Sequence, residues 1–373
     1  MRKDLIHTPE GVRDIYGNEE KQKLRVEELV KETIYLHGYE DIQTPTFEYF
    51  DVFSKEIGTT PSRELYKFFD RNGDTLVLRP DFTPGVARCV AKYFDEENSP
   101  VKLTYSGSAF VNNSALQGKL KETTQTGVEL MNDDSAAADA EVLNLLIECL
   151  KSAGLENFQV SVGHMEYFKG LCESAGISEE NELLLREYIS EKNNIPATDL
   201  LDSLNCDVKT KELLLLTGDS IGDISVINNL KNKVNNSRSE GALKRLERVY
   251  DILKIFGNEK YISFDLGMLS KYNYYTGVIF KAYTYGIGDA VCKGGRYDNL
   301  VSSFGKAKPA VGFVILIDDL LMALRRQGVS VHVKESAKTV YYTDSDMTEK
   351  IKEATKSRAE GKPVNLIYKG EGK

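Results

Sequence analysis

Histidine and cysteine are too sparse and too scattered in this sequence to build the sites they usually build. The four histidines (His7, His37, His164, His332) and five cysteines (Cys89, Cys149, Cys172, Cys206, Cys292) stand far apart, with no CxxC pair. Neither a zinc cluster nor a His-centred triad can be assembled from such spacing, and we expect no metal and no cofactor. The odd cysteine count points to reduced core thiols rather than a disulfide framework. The chain also lacks a run of about 20 apolar residues, the length a membrane helix requires. Residues 1–8 hold no apolar signal core. A cytoplasmic protein with no membrane partner is therefore expected. Positive charge is not in excess, since 48 Lys and Arg face 57 Asp and Glu, a net charge of −9. Proteins that hold a polyanion mainly through its phosphates usually show a basic domain or stripe. Its absence lowers the case for tRNA as a partner. Repeats and low-complexity tracts are missing too.

What remains is the composition of a globular protein, 41% hydrophobic and 28% charged over 373 residues. At about 100 to 200 residues per domain, that length suits two domains. After a loop at 8–14, Leu24, Val26, Leu29, Val30 and Ile34 recur at helical spacing, and His37-Gly38 supplies a stop. Residues 75–82 (TLVLRPDF) alternate as a strand whose end delivers Arg79, Asp81 and Thr83. A long hairpin is expected from strands 102–111 and 122–130, joined by the polar loop NNSALQGK. Asp134 can cap the helix that runs through Val142, Leu145, Leu146, Cys149 and Leu150 to Gly154. A strand is read at 156–163. From 164 to 257 short helices succeed one another with no convincing strand, which we read as a helical insertion. Strands resume at 262–266, 276–283 and 290–292, and a helix at 318–326 closes the unit. The last 45 residues, 329–373, read as a single βαβ unit, short of the roughly 50 at which independent domains begin. The expected class is α+β with a largely antiparallel sheet, divided into 1–327 and a C-terminal 328–373.

Five stretches occur in order: LRPDFTPGVAR (78–88), YSGSAFVNNSALQGKLKETTQTGVEL (105–130), YNYYTGVIF (272–280), CKGGRYDNLV (292–301) and PAVGFVILIDDL (309–320). Together they resemble histidyl-tRNA synthetase, with similar spacing. The resemblance implies the class II synthetase fold, an antiparallel sheet flanked by helices, dimeric as a rule. It also implies a histidine pocket. Asp81 and Thr83 stand where that family places groups beside the ligand's amino end. Gln125 and Glu129 match polar residues that contact the amino group and the imidazole. Tyr275 and Tyr297 match the aromatic lining of the side-chain slot. The physics agrees, because Gln125, Gly127 and Glu129 alternate along a strand and share one face. Carboxylates suit an ammonium or an imidazole N–H, since charge-assisted hydrogen bonds are the stronger kind. Taken singly, a Gln or Glu on a strand more often faces solvent, and the Tyr274-Tyr275 pair can serve as sheet packing.

The departures carry more. The family follows the phenylalanine of its second motif with an arginine that grips the ATP α-phosphate, whereas Val111 follows Phe110 here. The arginine that assists adenylate formation is matched by Ser270, with Lys271 nearby, and the third-motif arginine by Asp319. Adenylyl transfer rests on cations that neutralise developing charge. A synthetase-like chain that keeps the amino-acid pocket, loses these arginines and has only a short βαβ unit where an anticodon-binding domain would stand resembles the regulatory subunits of ATP phosphoribosyltransferase. That resemblance implies no catalytic residues and a separate short-form catalytic subunit as partner. It also implies histidine as ligand and inhibitor in the first step of histidine biosynthesis, with the chain a homodimer within a hetero-oligomer. A divergent histidyl-tRNA synthetase and a histidine-sensing module for another partner stay open as alternatives.

Overall fold

The computed structural model describes residues 6–53, 60–113, 119–270, 274–333 and 336–370. Helix α1 (Gly17–Leu36) forms where the apolar spacing places it, with Val26, Val30 and Ile34 fully buried. Gly38, at φ 77°, ends it in the left-handed conformation that glycine adopts without a steric penalty, and its N–H donates to the Tyr35 carbonyl. Leu24 departs from the expected core stripe and is 54% exposed. It lies two residues from Val26, about 200° around a helix of 3.6 residues per turn.

Next come β1 (Glu40–Asp41) and a small sheet of β2 (Phe47–Tyr49), β3 (Lys67–Phe69) and β4 (Thr75–Leu78), ordered β2-β4-β3. The strand expected over 75–82 stops at Leu78, ahead of Pro80. Thr83 opens helix α2 (Thr83–Tyr93) instead of ending a strand, with Pro84 in the first turn, where its missing N–H breaks no helical bond.

The expected hairpin forms from β5 (Val101–Phe110) and β6 (Glu122–Met131); residues 114–118 of its loop lie outside the described residues. Helix α3 (Ala136–Ser152) is capped by Ser135, whose Oγ accepts from the Ala138 N–H at 3.1 Å. Asp134 stands one residue too early for that role, and its carbonyl accepts from Arg245 instead. After β7 (Phe158–His164) the chain enters the insertion: α4 (Met165–Ser174), α5 (Glu179–Ser190), α6 (Asn194–Ser203), α7 (Val208–Thr217), β8 (Ile221–Gly222), α8 (Ile224–Lys231) and α9 (Ser237–Phe256). The two-residue β8, unexpected from the sequence, joins the edge of the main sheet. Strands β9 (Ile262–Asp265), β10 (Val278–Thr284), β11 (Cys292–Arg296) and β12 (Ala310–Leu316) and helix α10 (Ile317–Arg326) complete the unit. The strand read at 290–292 is shifted to 292–296. Strand β12 has no counterpart among the expected elements, because a short unbroken apolar run has no period to betray it.

The main sheet is nine-stranded, in the order β1-β5-β6-β12-β11-β10-β7-β9-β8. Only β1 with β5 and β7 with β9 pair in parallel. It is the mixed, mostly antiparallel sheet flanked by helices that the sequence led us to expect. One face, carrying Val128, Phe313, Phe280 and Val162, packs in the main core with residues of α1, α3 and α9. The opposite face holds the site. At the C-terminus β13 (Lys338–Tyr342), α11 (Met347–Ala359) and β14 (Val364–Tyr368) form the expected βαβ unit, with the two strands parallel. Of the described residues 336–370, only Ala354 is buried. No helix among the described residues is long and apolar enough to cross a membrane.

Candidate functional site

Strand alternation brings Gln125, Gly127 and Glu129 to one face of β6, and the register places Glu129 opposite Gly312 and Gly312 opposite Gly295. These glycines make a floor of bare backbone. A Cβ at Gly312 would overlap Glu129 Oε2, one at Gly127 would overlap the Tyr105 hydroxyl, and one at Gly295 would stand 2.7 Å from the Tyr275 ring.

Glu129 is the centre of the arrangement and is 1% exposed. Thr83 Oγ1 donates to its Oε1 at 2.7 Å, and the Tyr297 hydroxyl donates to its Oε2. Tyr297 stacks on Tyr274 with centroids 5.1 Å apart, and Tyr274 meets Tyr275 edge-on at 4.9 Å. Tyr105 stacks on Phe82 at 4.5 Å. Four tyrosines thus surround one carboxyl. Tyr105 and Tyr274 are absent from the sequence-derived set. The hairpin register, which pairs Tyr105 with Gly127, was the signal that could have found the first. The second was hidden by its neighbour in the Tyr274-Tyr275 pair.

Burial pushes the Glu129 carboxyl up to about 8, against the pull of the hydrogen bonds from Tyr297 and Thr83, and the nearby charge of Asp81 pushes the same way. Tyr297 is raised well above the usual phenol range, by burial first and by Glu129 second. At neutral pH a carboxyl in this state is mostly protonated, and a cation facing it favours the charged form. Aromatic faces reinforce the attraction for such a cation.

The cavity among these groups is about 40 Å³, and Thr83, Glu129, Tyr275 and Tyr297 line it, with Tyr105 and Tyr274. At about 10 to 15 Å³ of such volume per water it has room for a few waters, short of a bound amino acid. Asp81 and Gln125 stand outside the lining. Asp81 is half-buried. Gln125 is buried opposite Gly107, and its Oε1 has no hydrogen-bond partner among the described residues. A much larger groove follows the outer side of α1, past Lys21, Leu24, Arg25 and Tyr35. Its lining of alternating charges is a solvated helix face and converges on nothing.

Where the resemblance places arginines the structure has other chemistry. Val111 directly follows β5, with its N–H donating to the Lys121 carbonyl. The Ser270 carbonyl accepts from Arg186 of α5 at 3.1 Å. Lys271 and Asn273 lie outside the described residues. Asp319 sits in the first turn of α10, its carboxyl raised by burial and by the adjacent Asp318. Asp318 is held by Lys23 at 2.9 Å and by the Thr124 N–H at 2.7 Å. Two carboxylates at a helix N-terminus stabilise the helix and repel phosphate.

Fold and site together define a protein of the class II histidyl-tRNA synthetase type. A family model described as histidyl-tRNA synthetase matches residues 11–320. A histidine–tRNA ligase subunit from Alicyclobacillus acidocaldarius superposes with a TM-score of 0.73 at 25% identity, covering 86% of this chain and 98% of that one. Within this class the chain belongs to the family of ATP phosphoribosyltransferase regulatory subunits. The regulatory subunit from Acetivibrio thermocellus is 42% identical over 324 residues, 87% of this chain and 78% of that protein. The one from Caldanaerobacter subterraneus subsp. tengcongensis is 37% identical over 362 residues, 97% of this chain and 94% of that one. A crystal structure described as an ATP phosphoribosyltransferase regulatory subunit/histidyl-tRNA synthetase from Bacillus halodurans has a TM-score of 0.89 at 33% identity, covering 98% and 93% of the two chains.

Proposed function

We propose that this chain is a non-catalytic subunit that binds histidine at the Glu129 site, supports a separate short catalytic subunit of ATP phosphoribosyltransferase, and conveys inhibition by histidine to it. The observation that carries the reading is a buried carboxyl, Glu129, ringed by tyrosines on a glycine floor; it is supported by the carboxylates Asp318 and Asp319 in the first turn of α10, an unsuitable place for a nucleotide's phosphates. Asp81, Thr83, Gln125, Glu129, Tyr275 and Tyr297 hold the ligand. The small cavity requires that Glu129 and Tyr297 part as histidine enters. Binding and a change of shape are then one event, and a ligand shifts an equilibrium only by such a difference in affinity between states. Residues 1–327 form the synthetase-like unit, paired with a second copy in the hetero-oligomer, and 328–373 form the appended unit.

The test is the initial rate of phosphoribosyl-ATP formation by the short catalytic subunit, with and without this chain and with and without histidine. We expect little rate from the catalytic subunit alone, a large gain on mixing, and loss of that gain with histidine. Glu129→Ala should assemble normally and need roughly 10- to 100-fold more histidine, the equivalent of a charge-assisted bond of about 1.5 to 3 kcal/mol. Histidine-dependent exchange of pyrophosphate into ATP by the chain alone, or a rate indifferent to its addition, would refute the proposal.

A further inference from the structure

Tyr274 and Tyr275 reach the Glu129 site from a stretch of chain that is tied on both sides. Downstream the sheet holds it, where the Thr276 N–H donates to the Arg296 carbonyl at 2.9 Å. Upstream the helical insertion holds it. The Leu266 N–H donates to the Ser220 carbonyl at 3.1 Å, beside the pairing of β8 with β9. A Cβ at Gly267 would stand 2.9 Å from the Gly218 Cα and 3.2 Å from the Thr217 carbonyl oxygen, so the two backbones touch at the end of α7. Three residues further on, Nη1 of Arg186 donates to the Ser270 carbonyl at 3.1 Å.

Arg186 lies in α5, is 1% exposed, and pairs with Glu182 one turn earlier on the same helix. Taking an ion pair out of water is costly, and apolar side chains of like size would fill the same space at less cost. What the pair supplies is direction. A guanidinium donates along fixed in-plane axes, and a charged donor holds a carbonyl more firmly than a neutral one. From Ser270 to Tyr274 the chain has four residues to span, at most about 14 Å when extended. Tyr274 in turn stacks on Tyr297 and meets Tyr275 edge-on, and the Tyr297 hydroxyl donates to Glu129. A shift of α5 therefore reaches the carboxyl through one short length of chain and two ring contacts.

We infer that Arg186 is a positioning residue that couples the helical insertion to the ligand site, by fixing from outside the sheet the upstream anchor of the Tyr274-Tyr275 pair. The inference rests on the histidine-site reading and adds the element that responds to the ligand. Coupling of this kind is reciprocal, so a partner that grips the insertion changes ligand affinity by the factor with which the ligand changes its grip.

The experiment is calorimetric titration of the assembled complex with histidine, together with hydrogen exchange of peptides from α5, read against α9 as an internal control. In wild type, saturating histidine should slow exchange in α5 more than in α9. Arg186→Met should weaken histidine binding at least about 5-fold, the lower end of ordinary coupling, and abolish the response of α5. Arg186→Lys, which still offers a charged donor to the Ser270 carbonyl, should recover part of both. Assembly and thermal melting serve as folding controls, and the wild-type exchange comparison stands without any variant. Wild type that binds histidine with no added protection of α5 over α9 would overturn the inference while leaving the site reading intact. So would a folded Arg186→Met that melts lower but keeps its histidine affinity, because that is the signature of a purely structural arginine. Wild type that binds no histidine would instead sink the site reading, and the inference with it.

Discussion

Glu129 stores a proton that the folded chain must give up to bind a cation. Its carboxyl titrates near 8 when folded, against an ordinary value of 4.5. The folded state therefore binds more protons than the unfolded one across that window, and stability falls as pH rises from about 4.5 through about 8. The melting temperature of Glu129→Gln, which has no proton to lose there, should fall less over that range. Identical slopes in wild type and variant would mean that the carboxyl is not held neutral. Histidine should likewise bind with release of a proton at neutral pH, which calorimetry in buffers of different ionisation enthalpy reads directly. At this scale the sequence was informative where alternation fixes direction, as with Gln125 and Glu129 on β6. It was silent about Glu129 being enclosed, because enclosure comes from Tyr297 and Tyr274, about 145 to 170 residues away in the chain and brought near by strand pairing.

Helices and strands with a clear period were legible: α1, the β5–β6 hairpin and α3 lie close to where the residue pattern put them. The failures have a physical cause in common. α2 follows a proline-broken strand, β12 is apolar throughout, and β8 is only two residues long and pairs with β9 at the sheet edge, too short to show a period. No local signal could have shown how the insertion is fastened. Asp139 of α3, fully buried, receives Arg245 of α9 at 2.6 Å and Arg296 of β11 at 2.7 Å, so one carboxylate ties three elements together. Removing it takes the buried acid from two arginines and leaves Arg296, 3% exposed, with only the half-exposed Asp298 at 3.1 Å as counter-charge. Asp139→Ala should cost about 3 to 5 kcal/mol, the range for breaking a buried ion pair from one side. Urea unfolding followed by circular dichroism checks this, and a loss below about 1 kcal/mol would show that the network is dispensable.

For the molecule as a whole, the C-terminal βαβ unit contributes little burial. A chain ending at residue 335 should melt within about 4 °C of the full chain, which corresponds to less than about 1–2 kcal/mol in a domain of this size or larger. A greater drop would place the domain boundary elsewhere. The glycine floor has a bearing on how the proposed histidine site could be retuned. Gly127, Gly295 and Gly312 lend the site a wall made of main chain, and every side chain added there collides with backbone or with a ring. A laboratory library aimed at a new ligand would find those three positions closed, since each change alters the packing of the sheet before it alters recognition. The rim differs: Tyr275, Gln125 and Thr83 meet the site through their side chains, so exchanging those side chains leaves the main-chain ladder of the sheet in place. An engineered responder to a different amino acid would therefore be sought in the rim, with the floor kept as written.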